Sequence, residues 1–206
     1  PLTIIKDQKT SNTYLRENVN VLRAVAKSPY VVGSDFIGEE INDISDLKPA
    51  IAEIVKYVEN EDKEFTIRIH AGENDSLRDN VRKSIMCVKE ALKEGQEMPR
   101  CRIGHGLYSE DLGSKAGYEL MGLMAETGIV IEFQITSNIR LNNISDLSNH
   151  PLKTFLKNGI KCVQGTDGCG FYGSDTIDEQ LALQNLLGLT EKEFSKMRET
   201  EKEIIE

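Results

Sequence analysis

A histidine and a glutamate lie three residues apart where a short apolar segment ends. In the run RIHAGEND, residues 68 to 75, His70 and Glu73 are separated by an alanine and a glycine. An imidazole can bind a metal ion or exchange a proton near neutral pH, and a carboxylate can serve as a general acid or base. On its own, the run is equally consistent with a turn that carries a chance histidine. Its interpretation therefore depends on the residues at the ends of the other strands.

Polar residues with similar chemistry follow the other predicted strands. Runs rich in β-branched and aromatic residues predict five largely buried strands, near residues 30–36, 65–70, 100–105, 128–135 and 160–166. Asp35 lies at the end of the first strand, His105 at the end of the third and Asp167 just after the fifth. The carboxyl ends of parallel strands meet at one edge of a sheet, where α/β enzymes place their active sites. We therefore expect these side chains to converge with His70 and Glu73.

The segments between the strands have apolar residues at spacings of three and four, which predicts amphipathic helices. A first helix is expected over residues 12–26, and Ser45 is predicted as the N-cap of the second. Thr190 and Glu193 form a predicted capping box at the start of the last helix. The core-facing positions expected in the first three helices are Leu15, Val19, Leu22 and Val25; Leu47, Ile51, Ile54, Val55 and Val58; and Leu77, Val81, Ile85, Val88 and Leu92.

The alternation of strands and helices predicts a single α/β domain over residues 1–206, with a parallel sheet and outer helices. An open doubly wound sheet and part of a (β/α)8 barrel both fit this pattern. The remaining histidine, His150, precedes a proline at a predicted helix start and is expected at the surface or in a capping role.

The composition indicates a soluble globular protein. The chain has 206 residues, of which 39% are hydrophobic, and a net charge of -9. This acidic balance argues against nucleic acid or an anionic membrane as the main partner. No apolar run approaches the ~20 residues of a membrane helix, and the first residues lack the layout of a signal peptide. Four cysteines without a C-x-x-C spacing are expected to be reduced thiols of a cytoplasmic protein.

Several short motifs together resemble the adenosine deaminase family. HAGE at 70–73, RIGHG at 102–106, TSN at 136–138 and GTDG at 165–168 follow that family's order and spacing, and VVGSDFIGEE at 31–40 resembles its fourth-strand segment. The resemblance implies a partial TIM (β/α)8 barrel that contains strands four to eight of the family fold. It also implies zinc-dependent hydrolytic deamination of adenosine to inosine and ammonia, with one Zn2+ in each complete active site.

The resemblance assigns a role to each of five residues. His70 and Asp167 would be zinc ligands, and Glu73 would protonate N1 of the purine ring. His105 would orient the attacking water and stabilise its charge, and Gly38 would contact the purine through its backbone. The partner is therefore expected to be a small-molecule purine nucleoside. Two further polar residues are expected to be structural hydrogen-bonding groups, namely Ser137 and Asn138.

The sequence departs from the family pattern in two places. No H-x-H pair is present, although that pair supplies two zinc ligands on the family's first strand, and Gly168 replaces the second of two adjacent aspartates. We therefore expect the chain to be the C-terminal portion of the enzyme, inactive alone, and to self-associate or to pair with the missing N-terminal part. The alternatives are a deaminase of another 6-aminopurine such as AMP, or a catalytically silent half-barrel that binds a nucleoside or serves in assembly.

Overall fold

Five parallel strands form one sheet in the computed structural model of the protein, which describes residues 8 to 205. The strands are β1 Gly33–Phe36, β2 Thr66–Ala71, β3 Cys101–His105, β4 Val130–Phe133 and β5 Lys161–Gln164. Their spatial order follows the chain, from β1 to β5, and every neighbouring pair is parallel. Because right-handed connections that all run in one direction place every helix on the same face, this order excludes the doubly wound alternative. The predicted α/β class and partial (β/α)8 barrel are confirmed.

The strands are connected mainly by helices. These are α1 Gln8–Val25, α2 Lys48–Asn60, α3 Asn80–Lys89, α4 Lys115–Thr127, α5 Ile135–Arg140, α6 Leu152–Lys157, α7 Cys169–Tyr172, α8 Thr176–Leu186 and α9 Glu191–Ile205. Two short 3-10 helices, Ile44–Leu47 and Leu147–Asn149, precede α2 and α6. Within residues 8 to 205, no helix combines the length and the apolar character needed to cross a membrane. Residues 1–7, which begin the segment without a signal-peptide layout, lie outside the described residues.

Three of the predicted strands are at least three residues shorter than expected, and the fifth spans only Lys161–Gln164. The first strand begins at Gly33 rather than near residue 30, and Tyr30 and Val32 are 92% and 70% exposed. The fourth strand ends at Phe133 because α5 begins two residues later. The buried Glu179 causes this change, since its carboxylate accepts the backbone N–H groups of Ile135 (3.0 Å) and Thr136 (3.1 Å). The TSN run is therefore helical, and the prediction of a continuous strand to residue 135 is wrong.

The predicted helices are correct in their buried faces but less so in their ends. The five inward positions predicted for α2 are all buried, as are Val81, Ile85 and Val88 in α3. Val25, however, is 44% exposed, because α1 ends there. The predicted N-cap Ser45 is also wrong: it lies inside the first 3-10 helix, where Asp43 accepts the Ser45 N–H at 2.9 Å.

The capping predictions near the C-terminus have mixed outcomes. Thr190 and Glu193 form the expected capping box of α9, with the Thr190 N–H donating to Glu193 at 2.8 Å. His150 is 7% exposed and not at the surface, and its Nδ1 accepts the Leu152 N–H at 3.3 Å at the start of α6. The capping alternative is thus the one observed, and burial lowers the pKa of His150 to about 4.

The alternation of side chains along β2 separates the core from the functional face. Ile67 and Ile69 are fully buried in the hydrophobic core, together with Val81 of α3. Successive side chains of a strand point to opposite faces, so Arg68 and His70 project from the inner face. The core residues therefore fix the strand, and the strand positions the polar groups of the inner face.

Candidate metal centre and active site

Three side chains from different strand ends come together at the carboxyl edge of the sheet. The potential ligand atoms of His70, His105 and Asp167 all lie within 4.8 Å of one another. His70 is in β2, His105 is the last residue of β3, and Asp167 follows β5. The structure thus brings together three of the five site residues predicted from the sequence. It also adds His105 to a set in which only His70 and Asp167 were predicted as ligands.

The backbone adopts an uncommon conformation at two of these positions. His105 and Asp167 have φ angles of 71° and 53°, in the left-handed region that residues other than glycine rarely occupy. Such conformations cost about 1–3 kcal/mol each and persist only where the surrounding structure imposes them. Here they turn both side chains toward the cluster at the points where their strands end.

His105 is held as a neutral imidazole with one nitrogen free. Its Nδ1 lies 3.0 Å from Oδ1 of Asn138, which can only accept, so Nδ1–H donates. Its Nε2 is then unprotonated, and it is buried without a partner among the described residues. Burial lowers the pKa of His105, and the nearby His70 adds to this effect. Asn138, expected to be structural, therefore sets the His105 tautomer.

His70 is oriented in the same manner by a carboxylate. Its Nδ1 lies 3.0 Å from Oδ1 of Asp35, and Arg68 contacts the other oxygen of Asp35 at 2.6 Å. Burial opposes ionisation of Asp35, but the His70 hydrogen bond and the Arg68 charge outweigh it, so its pKa is lowered. An ionised Asp35 accepts the Nδ1–H of His70, which makes Nε2 the unprotonated nitrogen. The Arg68 guanidinium approaches this Nε2 at 3.3 Å, so a metal ion would have to take the place of that contact.

The donor set fits a zinc ion. Two neutral imidazole nitrogens and one carboxylate oxygen are ligands found in catalytic zinc sites. The unpartnered Nε2 of His105 is an acceptor that a bound metal, or a water molecule beside it, would satisfy. Each histidine has its second nitrogen bound to an oxygen, as is usual for metal-ligating histidines.

Glu73 lies beside this cluster. Its Oε1 is 4.0 Å from Nε2 of His105, and the Asn143 amide approaches the same oxygen at 3.5 Å. Burial raises the pKa of Glu73, and the Asp167 carboxylate adds to this shift while His70 partly offsets it. A raised pKa increases the protonated fraction of Glu73 at any given pH, and a general acid must be protonated to act.

The loop that carries Glu73 depends on a glycine. Gly72 has a φ of 79°, and a Cβ there would lie 2.4 Å from the carbonyl oxygen of Tyr108. Only glycine therefore fits at position 72 of this turn. The HAGE spacing that first drew attention to these residues thus has a steric cause as well as a chemical one.

Beneath the cluster lies a charged network that sequence reasoning missed. Arg68 donates to Glu132 at 2.8 Å, and Glu132 accepts from the Gln134 amide at 2.6 Å. Oε1 of Gln134 in turn accepts the backbone N–H of His105 at 3.1 Å. Glycine makes room for this network, because a Cβ on Gly165 would lie 2.6 Å from Glu132. Charged residues within otherwise buried strands were the available signal.

The other two predicted site residues are Glu73 and Gly38. Glu73 lies at the cluster, as described above. Gly38 lies half-buried in the loop after β1, two residues before Glu40. Gly168, where the sequence departs from the family pattern, precedes α7, and a Cβ there would lie 3.3 Å from the Phe171 ring and 3.4 Å from the Tyr172 ring. Two aromatic rings, of which that of Phe171 is 94% exposed, therefore border the position where a second aspartate would stand.

Comparisons with known proteins agree with this geometry. The sequence matches the family model described as adenosine deaminase over residues 2–202. The adenosine deaminase of Escherichia coli O1:K1 / APEC is 36% identical over 135 residues, which are 65% of this chain and 35% of that protein. That of Escherichia coli strain SE11 is 35% identical over the same shares of both chains. The match thus spans little more than a third of the length of these relatives.

Solved structures show the same fold. An Arabidopsis N6-mAMP deaminase aligns with a TM-score of 0.69 at 21% identity, over 98% of this chain and 52% of that chain. The ADAL–IMP complex aligns with a TM-score of 0.66 at 22% identity, over 95% and 50%. An adenine deaminase from Arthrobacter aurescens aligns at 0.62 and 19%, over 89% and 50%. With a family model that covers nearly the whole sequence and a fold shared with deaminases, the chain belongs to the adenosine deaminase family.

Proposed function

We propose that the complete enzyme, with this chain as its C-terminal portion, removes the 6-amino group of adenosine by hydrolysis. Water supplies the oxygen that bonds to C6, the bond from C6 to the amino nitrogen breaks, and inosine and ammonia are released. One observation supports this proposal above the others: the clustering of His70, His105 and Asp167, with Glu73 4.0 Å from His105.

The metal would be held by residues of the cluster. His70 and Asp167 would bind Zn2+, and His105 presents a further unprotonated nitrogen to the same place. When bound, zinc acts as a Lewis acid and lowers the pKa of water toward ~7. Because none of the three histidines forms an H-x-H pair, we expect the 206-residue chain alone to bind zinc more weakly than the complete enzyme.

The protein's own groups would carry the protons. Glu73, whose pKa is raised by burial, would donate a proton to N1 of the purine as C6 is attacked. This transfer makes C6 more electrophilic and keeps negative charge from accumulating on the ring. His105, held neutral, would use its free Nε2 to accept a proton from the attacking water and stabilise its developing charge. His70 and Asp167 would then be the metal ligands that this chain supplies. Gly38 would contact the purine through its backbone.

A second candidate is deamination of another 6-aminopurine, such as AMP, N6-methyl-AMP or adenine. The observation that favours it is Gly168, which the rings of Phe171 and Tyr172 border. These aromatic groups give the purine site a less polar wall than an aspartate would. The N6-mAMP deaminase and adenine deaminase of similar fold are consistent with this candidate.

A small purine is the proposed partner, and the cytoplasm the proposed location. The net charge of -9 would repel nucleic acid. Cys87, Cys101 and Cys162 are buried free thiols, and Cys169 is an exposed one. Free thiols of this kind are typical of a reducing compartment.

Metal removal tests the proposal. The complete enzyme is assayed with adenosine, AMP, N6-methyl-AMP and adenine by the absorbance change on formation of the 6-oxopurine, with zinc content measured in parallel. We expect a chelator to abolish turnover and zinc to restore it. Asp167→Ala should lower both zinc content and activity, because it removes a ligand. Full turnover of the metal-free enzyme, or turnover of none of the four compounds, would contradict the proposal.

A further inference from the structure

Glu40 is a buried carboxylate that the chemistry above does not use. It is only 6% exposed and lies in the loop between β1 and the first 3-10 helix. Its Oε2 accepts the backbone N–H of Gly72 at 2.8 Å and that of Glu73 at 2.9 Å. Its Oε1 is buried without a hydrogen-bond partner among the described residues. Both hydrogen bonds of the Glu40 carboxyl group are thus accepted by Oε2, from two consecutive amides of the HAGE turn.

These two bonds join loops that are distant in the sequence. Glu40 is 32 residues from Gly72 and 33 from Glu73, so the contact is purely tertiary. Gly72 occupies the left-handed region, where glycine is conformationally permissive. The hydrogen bonds from Glu40, rather than the backbone preference of Gly72, therefore fix the conformation of the turn. The position of the Glu73 backbone in turn determines where the Glu73 carboxyl group lies.

We propose that Glu40 is a positioning residue that fixes the HAGE turn, and thereby the Glu73 carboxyl group, relative to the cluster of His70, His105 and Asp167. The inference rests on the proposed function for its catalytic consequence, but the contact itself can be tested without it. Glu40 also follows Gly38 by two residues. The same loop that would contact the purine therefore anchors the group that would protonate it.

The chemistry of the contact identifies an informative substitution. Both N–H groups donate to a single oxygen, so a glutamine carbonyl can accept both bonds. Burial raises the pKa of Glu40 to about 7, with the Glu73 charge adding to the shift and the two backbone bonds opposing it. The neutral acid, which glutamine resembles in shape and charge, is therefore accessible near neutral pH. Alanine, in contrast, removes both acceptors.

The test compares Glu40→Ala, Glu40→Gln and the matched control Glu39→Ala in the complete enzyme. Glu39 is adjacent to Glu40, and its side chain is exposed. Asn42 hydrogen-bonds to the backbone carbonyl of Glu39, which alanine would keep. Hydrogen exchange is measured on the peptide over residues 68–76, together with zinc content, kcat and KM. In Glu40→Ala we expect faster exchange at Gly72 and Glu73, unchanged zinc content and a kcat lower by about 10- to 100-fold, since small misplacements can cost that much. KM should change by less than about threefold.

In Glu40→Gln, the amides of Gly72 and Glu73 should exchange slowly again, and kcat should stay within about threefold of that of the unsubstituted enzyme. Glu39→Ala should match the unsubstituted enzyme in every measurement. Unchanged exchange at Gly72 and Glu73 in Glu40→Ala would overturn the proposal, whatever the activity. Faster exchange with unchanged kcat would also overturn it, because the turn would then not position a catalytic group. If the unsubstituted enzyme deaminates no purine, the proposed function fails, and the exchange rates still decide whether Glu40 holds the turn.

Discussion

At the scale of single residues, the environment of Glu73 distinguishes it from an ordinary carboxylate at a turn. It lies 4.0 Å from His105, and burial raises its pKa. Asp75, two residues later, is 67% exposed at its side chain and forms only a long local contact to Arg78. The two acids thus share a segment but differ in surroundings, which makes them a useful pair for substitution.

We predict that Glu73→Gln in the complete enzyme lowers kcat by about 10²- to 10⁴-fold, the usual contribution of a positioned general acid. Substrate affinity should stay within about tenfold, because glutamine keeps the size and hydrogen-bonding reach of glutamate but cannot deliver a proton. Zinc content should not change, since Glu73 is not a proposed ligand. Steady-state kinetics and metal analysis measure all three quantities.

Asp75→Asn is the control for this prediction and should leave kcat unchanged. If Glu73→Gln kept more than about a tenth of the original rate, Glu73 would be no more than a carboxylate near a helix start. The same result would favour the alternative interpretation of the HAGE run, a turn that carries a chance histidine.

At the scale of secondary-structure elements, the sequence predicted the buried faces of helices better than the residues at which helices and strands end. The apolar spacing found four of the five buried residues of α2, because periodicity reports directly on burial. It missed Ala50, and its fifth predicted position, Leu47, is buried in the 3-10 helix before α2. The end of β4 was missed, because Glu179, more than forty residues away, caps α5 through Ile135 and Thr136. No local pattern contains that information.

The network on the inner face was missed for a related reason. Arg68 and Glu132 read as isolated charges in apolar strands, and only the register of the sheet brings them together. Gly104 faces Glu132 across β3 and β4, and a Cβ on Gly104 would lie 2.9 Å from the Arg68 guanidinium. The strand-end histidines were predictable because parallel strands always align their ends. The polar layer beneath them required the actual side-chain contacts.

We predict that Arg68→Met destabilises the protein by about 3 kcal/mol, because it leaves the buried Glu132 with only the 3.6 Å contact to Arg102 as a cationic partner among the described residues. The side chains of Arg68 and Glu132 are only 17% and 11% exposed, so solvent replaces little of the lost interaction. The free energy of unfolding, measured with urea, checks this value. Activity should fall as well, since Glu132 and Gln134 connect Arg68 to the backbone of His105.

The matched control is Arg23→Met, which removes a surface ion pair with Glu53 whose side chains are 44% and 42% exposed. It should cost less than about 1 kcal/mol. Adding Glu132→Met to Arg68→Met should recover part of the stability, because it removes the buried carboxylate that lost the Arg68 cation. Asp35 would still lack its contact with Arg68. Equal costs for Arg68→Met and Arg23→Met would contradict a specific role for the inner network.

At the scale of the whole molecule, the sheet has two open edges. Within the described residues, β1 pairs only with β2, and β5 only with β4. Each edge presents unpaired backbone N–H and C=O groups, which are a template for association with another strand. Tyr30 and Val32, next to β1, add apolar surface that is 92% and 70% exposed. A closed barrel would leave neither edge free.

We predict that the isolated 206-residue chain forms dimers or larger assemblies in sedimentation velocity at high concentration. The net charge of -9 opposes association, so assemblies should become more abundant as salt screens that repulsion. Val32→Lys should reduce association, because a lysine beside an edge strand disfavours pairing. Tyr118→Lys, which changes a 62% exposed aromatic residue on α4, should not. If the chain stays monomeric at every salt concentration, or if the two lysine variants behave alike, the edges of the sheet are not what drives association. The five strands would then be stable without further strands, and the case for a missing partner segment would lose its main physical support.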